Sequence, residues 1–164
     1  MSATAGEELR INLGAGPDRR PGWTNVDLDE AHQPDVVWDL NRLPYPFEDT
    51  SATHIYGAQL LEHLTLHCID FFQETYRILK VDGTLEIVLP NMFSLRNRGL
   101  YLLGRIEESP EWNPYHMKLV HPRYLLHLAR HVGFDARLAL NRLPWLPLRY
   151  LGSGSLWILA RKRR

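Results

Sequence analysis

The chain has 164 residues, room for one domain with a single core, and its 19 Lys+Arg balance 19 Asp+Glu, so no net field draws it to nucleic acid or an anionic membrane. A single cysteine, Cys68, excludes an internal disulfide and fits a reducing compartment. No apolar run approaches the ~20 residues that span a bilayer, and Met1–Glu8 has neither the basic nor the apolar part of a signal peptide. A cytoplasmic protein is expected, a single domain over 1–164 with its first eight residues flexible.

In chain order, Leu9–Leu13 alternates apolar and polar residues and breaks into Gly14-Ala15-Gly16-Pro17, which reads as a strand ending in a tight glycine turn. Glycines at such a turn let a ligand approach the backbone. Pro17, Pro21 and Gly22 leave little helix before a second strand, Thr24–Leu28, which runs into Asp27, Asp29 and Glu30. A third strand, Asp35–Leu40, again closes on an acid, Asp39. A proline-stiffened loop, 43–50, leads to a fourth, Ala52–Gly57.

From Gln59 the apolar period turns helical through Leu60, Leu61, Leu64, Cys68, Phe71, Phe72, Tyr76 and Leu79, and Gly83 reads as the stop. Thr84–Asn91 is the clearest strand. A helix around 95–106 and a Pro/Trp/Asn-rich loop follow, then a helix opened by His121-Pro122 and closed by Gly133. Phe134–Leu140 and Ser155–Ala160 read as final strands around an apolar loop, Leu143–Tyr150. The alternation predicts an α/β, Rossmann-like fold: a mostly parallel sheet of about seven strands, helices on both faces, and an antiparallel hairpin at one edge.

A dinucleotide fingerprint would place a third glycine at position 19 and an acid about 20 residues further on. Arg19 stands there and Asp27 comes early, so a nicotinamide cofactor is disfavoured. Instead, Asn12-Leu13-Gly14-Ala15-Gly16, Asn25-Val26-Asp27-Leu28, Asp39-Leu40 with Leu43–Asp49, Leu61-Glu62-His63-Leu64, Arg77–Leu85 and Leu89-Pro90-Asn91 occur in the order of a class I S-adenosylmethionine (SAM) methyltransferase. The chain resembles the compact, methyltransferase-type-11-like members in which the first helix is reduced to a loop.

The resemblance implies SAM as cofactor and carries roles over by residue. Asn12, Gly14, Ala15 and Gly16 would lie along the methionine part, with Asn12 where most members carry an acid. Asp27 would accept from the ribose hydroxyls, with Leu28 beside it among the cofactor-binding residues. Asp39 would accept from the adenine amino group with the Leu40 backbone N–H reaching the ring, and Gln59 and Leu60 would sit beside the methionine moiety.

Methyl transfer needs alignment and, for a hydroxyl acceptor, a base. The candidates are Glu62, His63 and His116 first, with His67 and His121 behind them. The spacing Gln59-x-x-Glu62-His63 is similar to a Glu-x-x-Glu-His motif that binds a divalent metal in ubiquinone-pathway and small-RNA 2′-O-methyltransferases, where His116 would be the later ligand. Gln59 replaces its first acid, so the incomplete set favours a base without a metal. The pairs His63/His67 and His127/His131 read as solvated helix faces.

The segment 92–121 sits where such enzymes shape the acceptor pocket, and Tyr101, Trp112, Tyr115 and His116 suit a small-molecule or saccharide acceptor modified at oxygen. Trp145, Leu146, Leu148 and Tyr150, with the basic Arg161–Arg164 tail, offer a peripheral membrane or subunit contact, against packing back on their own sheet. The tail itself reads as solvated. Nucleic acid is not an expected partner. The alternative reading is a SAM-binding structural or regulatory partner without catalysis.

Overall fold

The computed structural model describes residues 8–139 and 155–163. Seven strands form one sheet: β1 Leu9–Leu13, β2 Thr24–Asp27, β3 Val36–Val37, β4 Ala52–Ala58, β5 Leu79–Pro90, β6 Phe134–Ala139 and β7 Ser155–Lys162, in the order β3-β2-β1-β4-β5-β7-β6. Strands β1 to β5 pair in parallel. β7 runs antiparallel to both β5 and β6, so the edge hairpin is reached with its second strand on the inside. Strand order reverses between β1 and β4, and at such a switch point a crevice opens beyond the carboxyl ends.

Three helices accompany the sheet: α1 Cys68–Ile78, α2 Leu95–Leu102 and α3 Pro122–Val132. Phe71, Phe72 and Ile78 of α1 and Leu125 and Ala129 of α3 join one buried cluster with Ile11, Leu13, Ile55, Leu85, Ile87, Ile158 and Ala160 of the sheet. Those strand residues alternate with others, so they all project to one face. Burying each such Leu, Ile or Phe is worth about 1.5–3 kcal/mol, and this face carries the apolar core. α3 begins as its sequence predicts, with Pro122 in the first turn and the His121 imidazole accepting from Arg123 N, and Gly133 closes it in the left-handed region.

Among the described residues, α1 and α3 contribute their buried side chains to this face. On the other face the strand registers line up Arg10, His54, Thr84, Arg161 and Asp135 in one row and Asn12, Tyr56, Glu86, Leu159 and Arg137 in the next. The β1–β2 loop lies over part of that face. Trp23 packs edge-on to His54 and Tyr56, and the Arg20 guanidinium sits 3.3 Å from the Tyr56 ring centroid.

Several boundaries differ from the sequence reading. β3 is two residues long, and Asp39-Leu40 belongs to the turns after it. The helix read from Gln59 starts at Cys68: Gln59 has φ +49°, a left-handed conformation no helix continues through. Asn41 fixes the intervening loop, its side-chain oxygen accepting from Thr65 N, Thr65 Oγ1 and Leu66 N. Glu62 and His63 are therefore not helix-start residues, and His63 and His67 do not share a helix face. Gly83 does not stop α1 either, which passes directly into β5 at Leu79.

Lys162, read as part of a solvated tail, is buried at the end of β7 and donates from Nζ to the Tyr76 and Leu79 carbonyls, 2.8 Å each. A cation there satisfies carbonyls at the end of α1. Arg161 pairs with Asp82 and Arg163 with Asp135. The apolar 143–150 loop and the first seven residues lie outside the described residues. Among those described, no helix is long and apolar enough to cross a membrane.

Candidate cofactor and catalytic site

The carboxyl ends of β1, β2, β3 and β4 bring most of the sequence-predicted cofactor residues to one rim. Gly14 and Gly16 after β1 both take positive φ, +64° and +48°. At Gly14 the restriction is double, because an added Cβ would lie 2.8 Å from Leu60 Cδ1. At Gly16 an added Cβ would meet nothing within 4 Å among the described residues, which leave open space in front of the turn. Leu60, from the loop after β4, is thus the floor against which the first glycine is packed.

Asp27 closes β2 beside this turn. Its Oδ2 accepts from Gly16 N at 2.7 Å and its Oδ1 from Asp29 N at 2.9 Å, which fixes the carboxylate against the glycine backbone. Leu28 next to it is 65% exposed. Trp38 N donates to the Asp27 carbonyl and brings the ends of β2 and β3 together. Asp39 forms an Asx turn with Asn41 N at 3.0 Å, and Leu40 is buried, its carbonyl accepting from Tyr45 Oη. Gln59 donates its backbone N–H to the Val88 carbonyl, fixing the β4 end against β5.

Asn12 stands apart from this rim. It is 2% exposed, and its Nδ2 donates to the Asp18 carbonyl and to Asn25 Oδ1, 3.0 Å each. Asn25 in turn donates from its backbone N and its Nδ2 to Asp35 Oδ2, 2.8 Å each. The backbone N–H of Asn25, with its side chain and the Arg19 guanidinium adding to it, holds the Asp35 carboxyl below its ordinary range although burial works the other way. The amide of Asn12 is spent inward, tying the glycine turn to the returning loop. Asn25 and Asp35 were not singled out as site residues in the sequence; their side-chain pairing is a contact across two strand ends that neither spacing nor periodicity encodes.

Beside the rim, Glu62, His63 and His116 come together. One potential ligand atom from each lies within 4.8 Å of the others. The two imidazoles meet edge-on with centroids 4.9 Å apart. The backbone carbonyl of Glu62 accepts from Met117 N at 2.8 Å and Lys118 N at 3.3 Å, which draws the segment carrying His116 across more than fifty residues of sequence. Glu62 is 2% exposed, and among the described residues neither carboxylate oxygen has a hydrogen-bond partner. Burial raises its pKa to about 7. Burial, and then His63, lowers that of His116, whose Nδ1 is likewise buried without a partner among those residues.

His67 and His121 lie elsewhere, at the N-caps of α1 and α3. Gln59, His116 and Trp112 help to line a cavity of about 500 Å³ with Pro90, Glu111 and Ser155. Tyr101 and Tyr115 do not line it; they are exposed, and the Tyr115 carbonyl meets His63 Nδ1 at 3.3 Å. A larger cavity, about 670 Å³, lies by Cys68 and Lys118 and contains none of the rim residues.

No family model and no curated protein matches this sequence. Solved structures match it in fold. A SAM-dependent methyltransferase from Archaeoglobus fulgidus has a TM-score of 0.70 at 18% identity, covering 96% of this chain and 87% of that one. One from Mesorhizobium loti has 0.65 at 15%, covering 96% and 92%. A Haemonchus contortus phosphoethanolamine N-methyltransferase, solved with phosphomonomethylethanolamine and S-adenosylhomocysteine, has 0.58 at 15%, covering 96% of this chain and 49% of that one. The chain has the fold of class I SAM-dependent methyltransferases, a mostly parallel seven-stranded sheet with an antiparallel edge pair.

Proposed function

We propose that this protein is a SAM-dependent methyltransferase that acts on a small-molecule or saccharide acceptor at oxygen. The observation that carries the reading is the rim itself: an open glycine turn at Gly14–Gly16, flanked by carboxylates at the end of β2 and in the turn after β3, on a fold whose solved neighbours are SAM-dependent methyltransferases. Asp27 would accept from the ribose hydroxyls and Asp39 from the adenine amino group, since a carboxylate is an acceptor-only partner for such donors. Leu28 and Leu40 would flank the base, Gln59 and Leu60 the methionine part. Gly14, Ala15 and Gly16 would present backbone to the methionine carboxylate, with Asn12 holding that turn from behind.

In the reaction an acceptor oxygen attacks the methyl carbon in line with sulfur. The C–O bond forms, the C–S bond breaks, and the sulfonium leaves as the neutral thioether S-adenosylhomocysteine. The acceptor's proton goes to the Glu62–His63–His116 group or to water that it orders, and the neighbouring cavity with Trp112 receives the acceptor.

Calorimetric titration with SAM and S-adenosylhomocysteine, with NADH as control, tests this. Saturable binding of both sulfur ligands and none of NADH is expected. Asp27→Ala should weaken SAM by about 1–3 kcal/mol, roughly 5- to 150-fold. No binding of either sulfur ligand would sink the proposal. Binding with no S-adenosylhomocysteine released across a broad acceptor panel would favour the non-catalytic SAM-binding partner instead.

A further inference from the structure

We propose that Glu62, His63 and His116 form a binding site for one divalent transition-metal cation of the Zn²⁺ type. Burying a carboxylate with no partner is costly, yet among the described residues both oxygens of Glu62 are without a hydrogen-bond partner and no Lys or Arg pairs with them. His116 presents a second unpartnered buried atom, Nδ1, beside it. His63 adds a third with its tautomer set: the Tyr115 carbonyl at Nδ1 can only accept, so Nδ1 carries the hydrogen and Nε2 keeps its lone pair. A backbone carbonyl behind the imidazole is the usual arrangement for a metal-bound histidine.

The site is held in place before any ion arrives. Met117 N and Lys118 N donate to the Glu62 carbonyl, and His116 N donates to the Asn113 carbonyl at 3.0 Å. Ligands about 2.1 Å from a tetrahedral cation stand about 3.4 Å apart. One potential ligand atom from each residue lies within 4.8 Å of the others, so the three side chains must draw in by rotation. His63, exposed at the surface, is free to make most of that movement.

Ligand chemistry selects the ion. Two imidazoles and one carboxylate suit Zn²⁺ and its first-row neighbours, whereas Mg²⁺ and Ca²⁺ take oxygen ligands. Three protein ligands leave a coordination position open, and His116 also lines the cavity assigned above to the acceptor. On the methyltransferase reading, on which this role rests, a cation held by these three side chains would supply Lewis-acid chemistry at that position, lowering the pKa of an acceptor hydroxyl so that its proton would pass to ordered water, the second of the two proton acceptors given above.

The test uses untagged, chelator-treated protein titrated calorimetrically with Zn²⁺ and Mg²⁺, with Co²⁺ absorption as a spectroscopic readout. One Zn²⁺ per chain is expected, with Mg²⁺ roughly 100-fold weaker or undetectable and Co²⁺ giving ligand-field bands. His63→Ala and His116→Ala should each weaken Zn²⁺ by roughly 10- to 100-fold. His127→Ala, in the exposed histidine pair of α3, should change nothing. Absence of Zn²⁺ binding, or binding that survives both site variants and is lost with His127→Ala, overturns the site. Binding of S-adenosylhomocysteine measured on the same samples reports folding and tests the cofactor separately. The cofactor without Zn²⁺ removes the metal site alone, and Zn²⁺ without the cofactor removes its assigned role while the ion site stands.

Discussion

Gly14 concentrates two demands in one position. Its positive φ is a conformation that L side chains rarely adopt, and Leu60 Cδ1 occupies the place where a Cβ would go. Gly14→Ala should therefore destabilise the chain by about 1–3 kcal/mol, read as a drop in the urea midpoint, and weaken SAM as well because the turn must shift. Gly16→Ala, with the same φ sign but open space around it, should cost less stability than Gly14→Ala. Equal losses would mean that Leu60 yields freely. Asp35 gives a residue-scale pH dependence. Its folded pKa is depressed, so the stability it contributes is complete above the ordinary carboxylate range and is lost as pH falls from about 4 toward the lowered value. Asp35→Asn should flatten the acid limb of a stability–pH curve in that window and leave the slope above pH 5 unchanged. An unchanged acid limb would show that its bonds to Asn25 do not survive in solution.

At the scale of elements, α1 shows what pattern reading can and cannot deliver. Leu60, Leu61 and Leu64 continue the three- and four-residue steps of the true helix backwards, and all three are buried. The pattern reports burial correctly and conformation incorrectly, because a left-handed Gln59 and the bonds from Asn41 are not periodic signals. The other end of α1 carries an anchor that the sequence does not announce. Arg77 grips Glu74 through two bonds of 2.6 and 3.0 Å and reaches the Phe47 carbonyl and Asp49 in the proline-stiffened loop. Glu74 Oε1 also accepts from Tyr45 N. Removing one member strands the other, so Arg77→Ala should cost on the order of 3 kcal/mol. Arg77→Lys should recover little of it, since an ammonium cannot span the same four acceptors. Chemical denaturation of the two variants side by side checks both statements.

For the whole molecule, the parallel sheet, the glycine turn and the acids at strand ends were legible because each rests on local chemistry: alternation, a lost Cβ, an acid where a strand stops. The approach of His116 to Glu62 was suggested only by resemblance, and the bonds that secure it, from Met117 N and Lys118 N to a carbonyl, involve backbone that any residue possesses. A parallel sheet buried on both faces reads as continuous apolar runs, whereas β4 and β5 interleave His54, Tyr56, Thr84 and Glu86 with their apolar residues, an alternation that was available in the sequence and that gives this sheet one apolar and one more polar face.

The position of β7 carries a consequence for how the chain is made. It follows β6 in the chain, yet it lies between β5 and β6 and brings Lys162 to the end of α1. Until it arrives, a nascent chain holds β5 and β6 as two unpaired edges with the gap between them open, the condition in which strands recruit foreign partners. Synthesis of this protein is thus a race between the eight residues of β7 and any competitor for that slot, and holdase chaperones would find their purchase there.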